Sequence, residues 1–194
     1  MATNFFYFIS FLPSLEPKGP APFKTYAEFL ECASSHLSVQ EMQILSRVTL
    51  CPDAEAAEND EGGVLYRWAG FETYLRDFLL EARGRKLKKD VNSYRRENLD
   101  VYPGVIHRLE EIVGNTDIAE RERALDLLRW QQLDNLAAGH EFDFSAVLIY
   151  ALRLCILIRH HSVYEKNDGS VMTKILESAV DAAIAVRVNE HAAQ

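Results

Sequence analysis

Histidines, carboxylates, cysteines and clustered cations are the side chains that most often carry chemistry, and their spacing limits what this 194-residue chain can do. His140-Glu141 begins like H-E-x-x-H, the helical motif that places two histidines on one zinc and a glutamate beside them as base. Phe142-Asp143-Phe144 follows, so the second histidine is missing. A di-iron bundle needs Glu-x-x-His on two facing helices; His107 and Glu110 stand alone and in reverse order. His160 and His161 are adjacent, so on a helix they diverge by about 100° and suit a helix end better than a shared metal. No phosphate-binding glycine loop, dinucleotide fingerprint or nucleophile elbow occurs. Cys32, Cys51 and Cys155 form no C-x-x-C and read as free thiols in a reducing cytoplasm. The expectation is a non-enzymatic chain with no catalytic residue, cofactor or metal. A rival small helical enzyme would have to assemble its site from Glu72, Arg76, Asp126, Arg129 and His140. The plainer account of those residues is ion pairing, on the surface or between helices.

The densest charge feature is basic: Arg83, Arg85, Lys86, Lys88, Lys89, Arg95 and Arg96. Part of it is ordinary chemistry at a helix C-terminus, where cations oppose the macrodipole. It also suits docking of an acidic protein partner, since a charged patch steers encounter and sets register. Nucleic acid is disfavoured by a net charge of −8 and by the lack of interleaved aromatics beyond Tyr94.

The elements that must position these residues are helical. Thr25 with Glu28 and Ser38 with Glu41 fit the capping box and predict helices over 26–36 and 39–50. Acidic residues between Pro52 and Gly63 lack the alternating register of a calcium loop and read as a solvated connection, residues 52–63. Val64, Trp68, Phe71, Leu75, Phe78 and Ala82 form one stripe at steps of three and four on a long helix whose end carries the basic run. Tyr102-Pro103-Gly104 reads as a break before a short helix over 105–113 that Gly114 closes. Asp117 with Glu120 opens a helix over 118–138, and 144–161 is apolar nearly all round, as a central helix must be. A last amphipathic stripe runs from Met172 to Ile184.

Apolar residues at 48%, charged residues at 26% and only nine Gly and six Pro exclude low-complexity and turn-rich β classes. The apolar opening, Phe5 to Leu12, lacks a basic flank and a cleavage site. It is shorter than the ~20 residues a membrane span takes, and reads as a buried first segment stopped by Pro13. The predicted class is all-α: one domain over 1–194, an elongated antiparallel bundle of about seven helices with the N-terminal segment packed on it.

Tyr7 to Leu15 with its Leu12-Pro13-x-Leu15, Trp68-x-x-Phe71, Leu75-Arg76-Asp77, and Arg83-Gly84-Arg85-Lys86-Leu87 with Asp90 and Tyr94 are strings that resemble a bacterial family of unknown function encoded in V-type (A/V-type) ATPase operons. The likeness is densest from Glu120 to Tyr150, through Glu122-Arg123-Ala124-Leu125-Asp126, Leu128-Arg129-Trp130, Leu133-Asp134 and Phe142-Asp143. That family is distantly similar to the C-type subunit of bacterial and archaeal rotary ATPases, called d in eukaryotes. The resemblance implies a reduced, C-like V-type ATPase subunit that couples the central stalk to the proteolipid ring. Its partners would be other ATPase subunits, with neither nucleic acid nor direct membrane insertion. Its place would be the cytoplasm, peripheral at the inner membrane through the complex. A free-standing helical adaptor is the alternative.

Overall fold

A computed structural model describes residues 5–51, 63–95 and 102–162. These form seven α-helices and no strand: α1 (Phe5–Phe11), α2 (Tyr26–Ser34), α3 (Val39–Ser46), α4 (Val64–Leu87), α5 (Pro103–Gly114), α6 (Ile118–Leu136) and α7 (Phe144–His160). A 3-10 turn, Asn92–Tyr94, follows α4. The class is all-α. The chain divides into two compact units, residues 1–158 and 159–194, and the hydrophobic core lies in the first. The connection over 52–62, Arg96 and the stripe from Met172 to Ile184 lie outside the described residues.

Local chemistry starts the helices where the caps predict. The Ser38 hydroxyl accepts from the Glu41 N–H at 3.3 Å while the Glu41 carboxylate accepts from the Ser38 N–H at 2.7 Å, a complete capping box. At α2 the box is displaced by one residue: Thr25 accepts from the Glu28 N–H, but the Glu28 carboxylate takes the Lys24 N–H. Asp117 accepts from the N–H groups of Ala119 and Glu120, satisfying two otherwise orphaned donors of α6. Tyr102-Pro103-Gly104 is not a break. Pro103 is the first residue of α5, where its fixed φ suits a helix and its missing donor costs nothing.

The apolar faces then assemble one core. α2 packs on α3, α4 on α5 and α6, and α5 on α6. α7 buries residues on all sides, among them Val147, Leu148, Ile149, Leu152, Leu154 and Ile156. The first segment is helical and only half buried, contrary to its apolar reading. Phe8 is fully enclosed and stacks on His36, and Phe5 meets Phe144, while Phe6, Tyr7 and Phe11 are exposed. A helix lying on the outside of a core can bury only one of its faces.

Candidate functional site

Glu72 falls inside the apolar stripe of α4, four residues after Trp68 and three before Leu75, so the helix carries it inward with them. Arg129 does the same on α6, midway between Leu125 and Leu133. Packing α4 on α6 brings the two together. Arg129 donates from Nε to Glu72 Oε2 and from Nη2 to Oε1, both at 2.9 Å, a bidentate fork; its Nη1 donates to Asp126 Oδ1 at 3.2 Å. Arg76, one turn after Glu72, donates from Nε to Oε1 at 3.0 Å. Glu72 has no exposed surface, Arg129 is 5% exposed and Asp126 6%, so the pairs are desolvated. Two guanidinium cations face two carboxylates, and the cluster is neutral as a whole.

Four of the five residues named for a rival catalytic site are therefore one interhelical network. The ion-pairing account of them holds, in its buried form. Both Glu72 oxygens already accept from guanidinium groups, which leaves the carboxylate poorly placed to take a proton from a substrate. His140 stands apart, at the start of α7, with Nδ1 2.6 Å from Asp143 Oδ2. Asp143 Oδ1 in turn accepts from the Ala146 N–H at 2.9 Å and caps that helix. Burial pushes the Asp143 carboxyl up, but the hydrogen bonds from His140 and Ala146 outweigh it and hold the group below its ordinary value.

The basic run is divided by the turn that ends α4. Lys88 is left-handed, with φ 51°, and the Lys89 N–H donates to the Gly84 carbonyl at 3.1 Å, so the chain doubles back over the helix. Gly84 permits this return: a Cβ there would lie 2.7 Å from Val91 Cγ1. Lys86 donates to the Val113 carbonyl in the last turn of α5, and Arg95 pairs with Glu81 at 3.0 Å. Arg83 lines a groove between α4 and α6. Arg85, Lys88 and Lys89 are exposed and make no ion pair among the described residues. Six cations close together in sequence thus have four separate fates, and Arg96 lies outside the described residues. The signal that could have anticipated this is Gly84 itself, a glycine inside a helical run where only a close backbone approach requires one.

The groove has a volume of about 410 Å³, with Arg76, Arg83, Arg129, Tyr94, Leu79 and Leu125 among its walls. No helix of the described residues is long and apolar enough to cross a membrane.

Residues 54–182, well over half of the chain, match the model of a family described as proteins of unknown function, DUF2764. No curated protein and no solved structure matches the chain.

Proposed function

The chain belongs to the DUF2764 family, and from that premise we propose that it is a non-catalytic accessory subunit of a bacterial V-type ATPase, coupling central stalk to proteolipid ring as a C-type subunit does. The observation that carries the reading is the buried lock between α4 and α6. The side chains best suited to chemistry are bound to one another across two helices, which ties α4 to α6 and occupies both oxygens of Glu72. A part that passes torque between neighbours needs a resistant helical body and charged ends for register more than it needs a reaction centre. The exposed cations Arg85, Lys88 and Lys89 at the end of α4 suit an acidic stalk subunit or the carbonyl end of one of its helices. The choice of machine rests on the resemblance of these residue strings to a family encoded in ATPase operons. In this reading the protein is cytoplasmic and reaches the membrane only through the complex.

The test is affinity purification of the tagged full chain, expressed from its own locus. The catalytic A and B subunits and the stalk subunits should co-elute. Arg85→Glu with Lys89→Glu should reduce their recovery several-fold while circular dichroism stays unchanged, because exposed cations contribute little to the fold. Recovery of other proteins without ATPase subunits would favour the free-standing adaptor and end the coupling reading.

A further inference from the structure

The groove between α4 and α6 adds apolar walls and further cations to the docking face at Arg85, Lys88 and Lys89, none of which lines it. Its apolar walls are Leu79, Leu80 and Leu125. It continues into a smaller recess of about 60 Å³ that shares Leu79, Arg83, Glu122 and Leu125 and adds Lys86 and Arg121. The two recesses follow α4 from Arg76 to Lys86, about 15 Å at 1.5 Å per residue, or nearly three turns of a helix laid alongside.

The charge is unusual for this chain. Arg76, Arg83, Lys86, Arg121 and Arg129 line the recesses against Asp77 and Glu122. The two carboxylates beneath, Glu72 and Asp126, are engaged by Arg129 and Arg76. Five cations against four carboxylates leave a local positive excess on a protein of net charge −8. Arg76 is held by Glu72 through Nε and touches Cys51 Sγ at 3.5 Å through Nη2. A guanidinium has five N–H donors, so donors remain on a side chain whose freedom is already reduced. A ligand that meets a pre-ordered cation avoids part of the ordering cost of binding. Tyr94, 73% exposed at the groove wall, adds an aromatic anchor of the kind that concentrates binding energy.

We infer that this groove docks an acidic amphipathic helix of a protein partner, with leucine-type side chains on Leu79 and Leu80 and carboxylates on Arg76 and Arg83. The leucine walls beside the cations select an acidic protein segment with an apolar face over a small anion or a polyphosphate backbone, either of which would use the cations alone. The inference stands on the groove alone, whichever complex the protein joins.

The probe is a fluorescein-labelled synthetic helix of about four turns, leucines along one face and glutamates beside them. Its binding to the full chain is followed by fluorescence anisotropy at low salt. A glutamine-for-glutamate version and a single-stranded oligonucleotide serve as comparisons. The glutamate peptide should bind in the micromolar range, and the glutamine version about tenfold more weakly. Arg83→Glu should weaken the glutamate peptide about tenfold with the thermal midpoint unchanged, since Arg83 is exposed and outside the buried network. Arg85→Glu, off the groove, should leave peptide binding intact even though it would impair stalk recovery, so the two readings fail separately. Equal binding of both peptides, equal loss in both variants, preference for the oligonucleotide, or no binding at about 1 mM peptide would each overturn the proposal.

Discussion

Arg129→Met separates a buried lock from a decorative ion pair. Methionine keeps much of the volume but removes the fork to Glu72 and the bond to Asp126. Glu72, with no exposed surface, is left with Arg76 Nε as its guanidinium contact. Stranding a buried carboxylate in this way costs about 3–5 kcal/mol, whereas an exposed pair would cost at most about 1 kcal/mol. Each kcal/mol lowers the thermal midpoint by about 2–4 °C for a chain of this size, so the drop should be about 6–20 °C. Urea unfolding, followed by the fluorescence of the buried Trp68 and Trp130, gives the same quantity isothermally. Glu72→Met/Arg129→Met should then cost less than the sum of its singles by about 1–3 kcal/mol. With both charges gone, Arg76, whose side chain is 37% exposed, can turn to water. A loss below about 1 kcal/mol for Arg129→Met, or strictly additive singles, would refute the picture of a desolvated network.

Three further outcomes are expected from other parts of the molecule. Gly84→Ala should destabilise by about 1–3 kcal/mol despite alanine's better helix propensity, because its Cβ would lie 2.7 Å from Val91 Cγ1 and 3.2 Å from the Lys89 carbonyl; a higher urea midpoint than wild type would contradict the close approach. Asp143 has its carboxyl lowered on folding, so its contribution is present above the unfolded carboxylate value, about 3.9, and disappears as pH falls through the lower folded value. Asp143→Asn should therefore be less stable than wild type at pH 7 and converge with it in acid, read as urea midpoints against pH. Burial pushes the Cys155 thiol up to about 12, so iodoacetamide at pH 8 should alkylate the exposed Cys51 first and the half-buried Cys155 much more slowly; equal labelling rates by mass spectrometry would count against that burial.

Helix starts were legible in the sequence because they depend on short reach. Ser38 and Glu41, or Asp117 and the next two N–H groups, satisfy each other within three residues. The stripe of α4 and the all-round apolarity of α7 were legible for a related reason, since a helix maps sequence spacing onto faces. Where one spelling serves two local outcomes, sequence reasoning went astray. Tyr102-Pro103-Gly104 opens α5, although proline as often stops a helix, and the apolar first segment is a half-exposed helix, because apolarity does not say how many faces a neighbour covers.

Glu72 and Arg129 are 57 positions apart. Their places in the apolar stripes turn both inward, but nothing local says which partner each will meet; only the packing of α4 on α6 made them a lock. The same holds for the basic run, which composition presents as one patch and the left-handed turn at Lys88 divides among a groove, the end of α5, an ion pair with Glu81 and open solvent. By itself the sequence determined the helical class, the principal helix starts and the absence of familiar catalytic and metal spacings, all of them properties of nearby residues. Tertiary structure decided which charges are buried, which are shared and where a groove opens. Burial and partnership depend on what another helix brings to the same place.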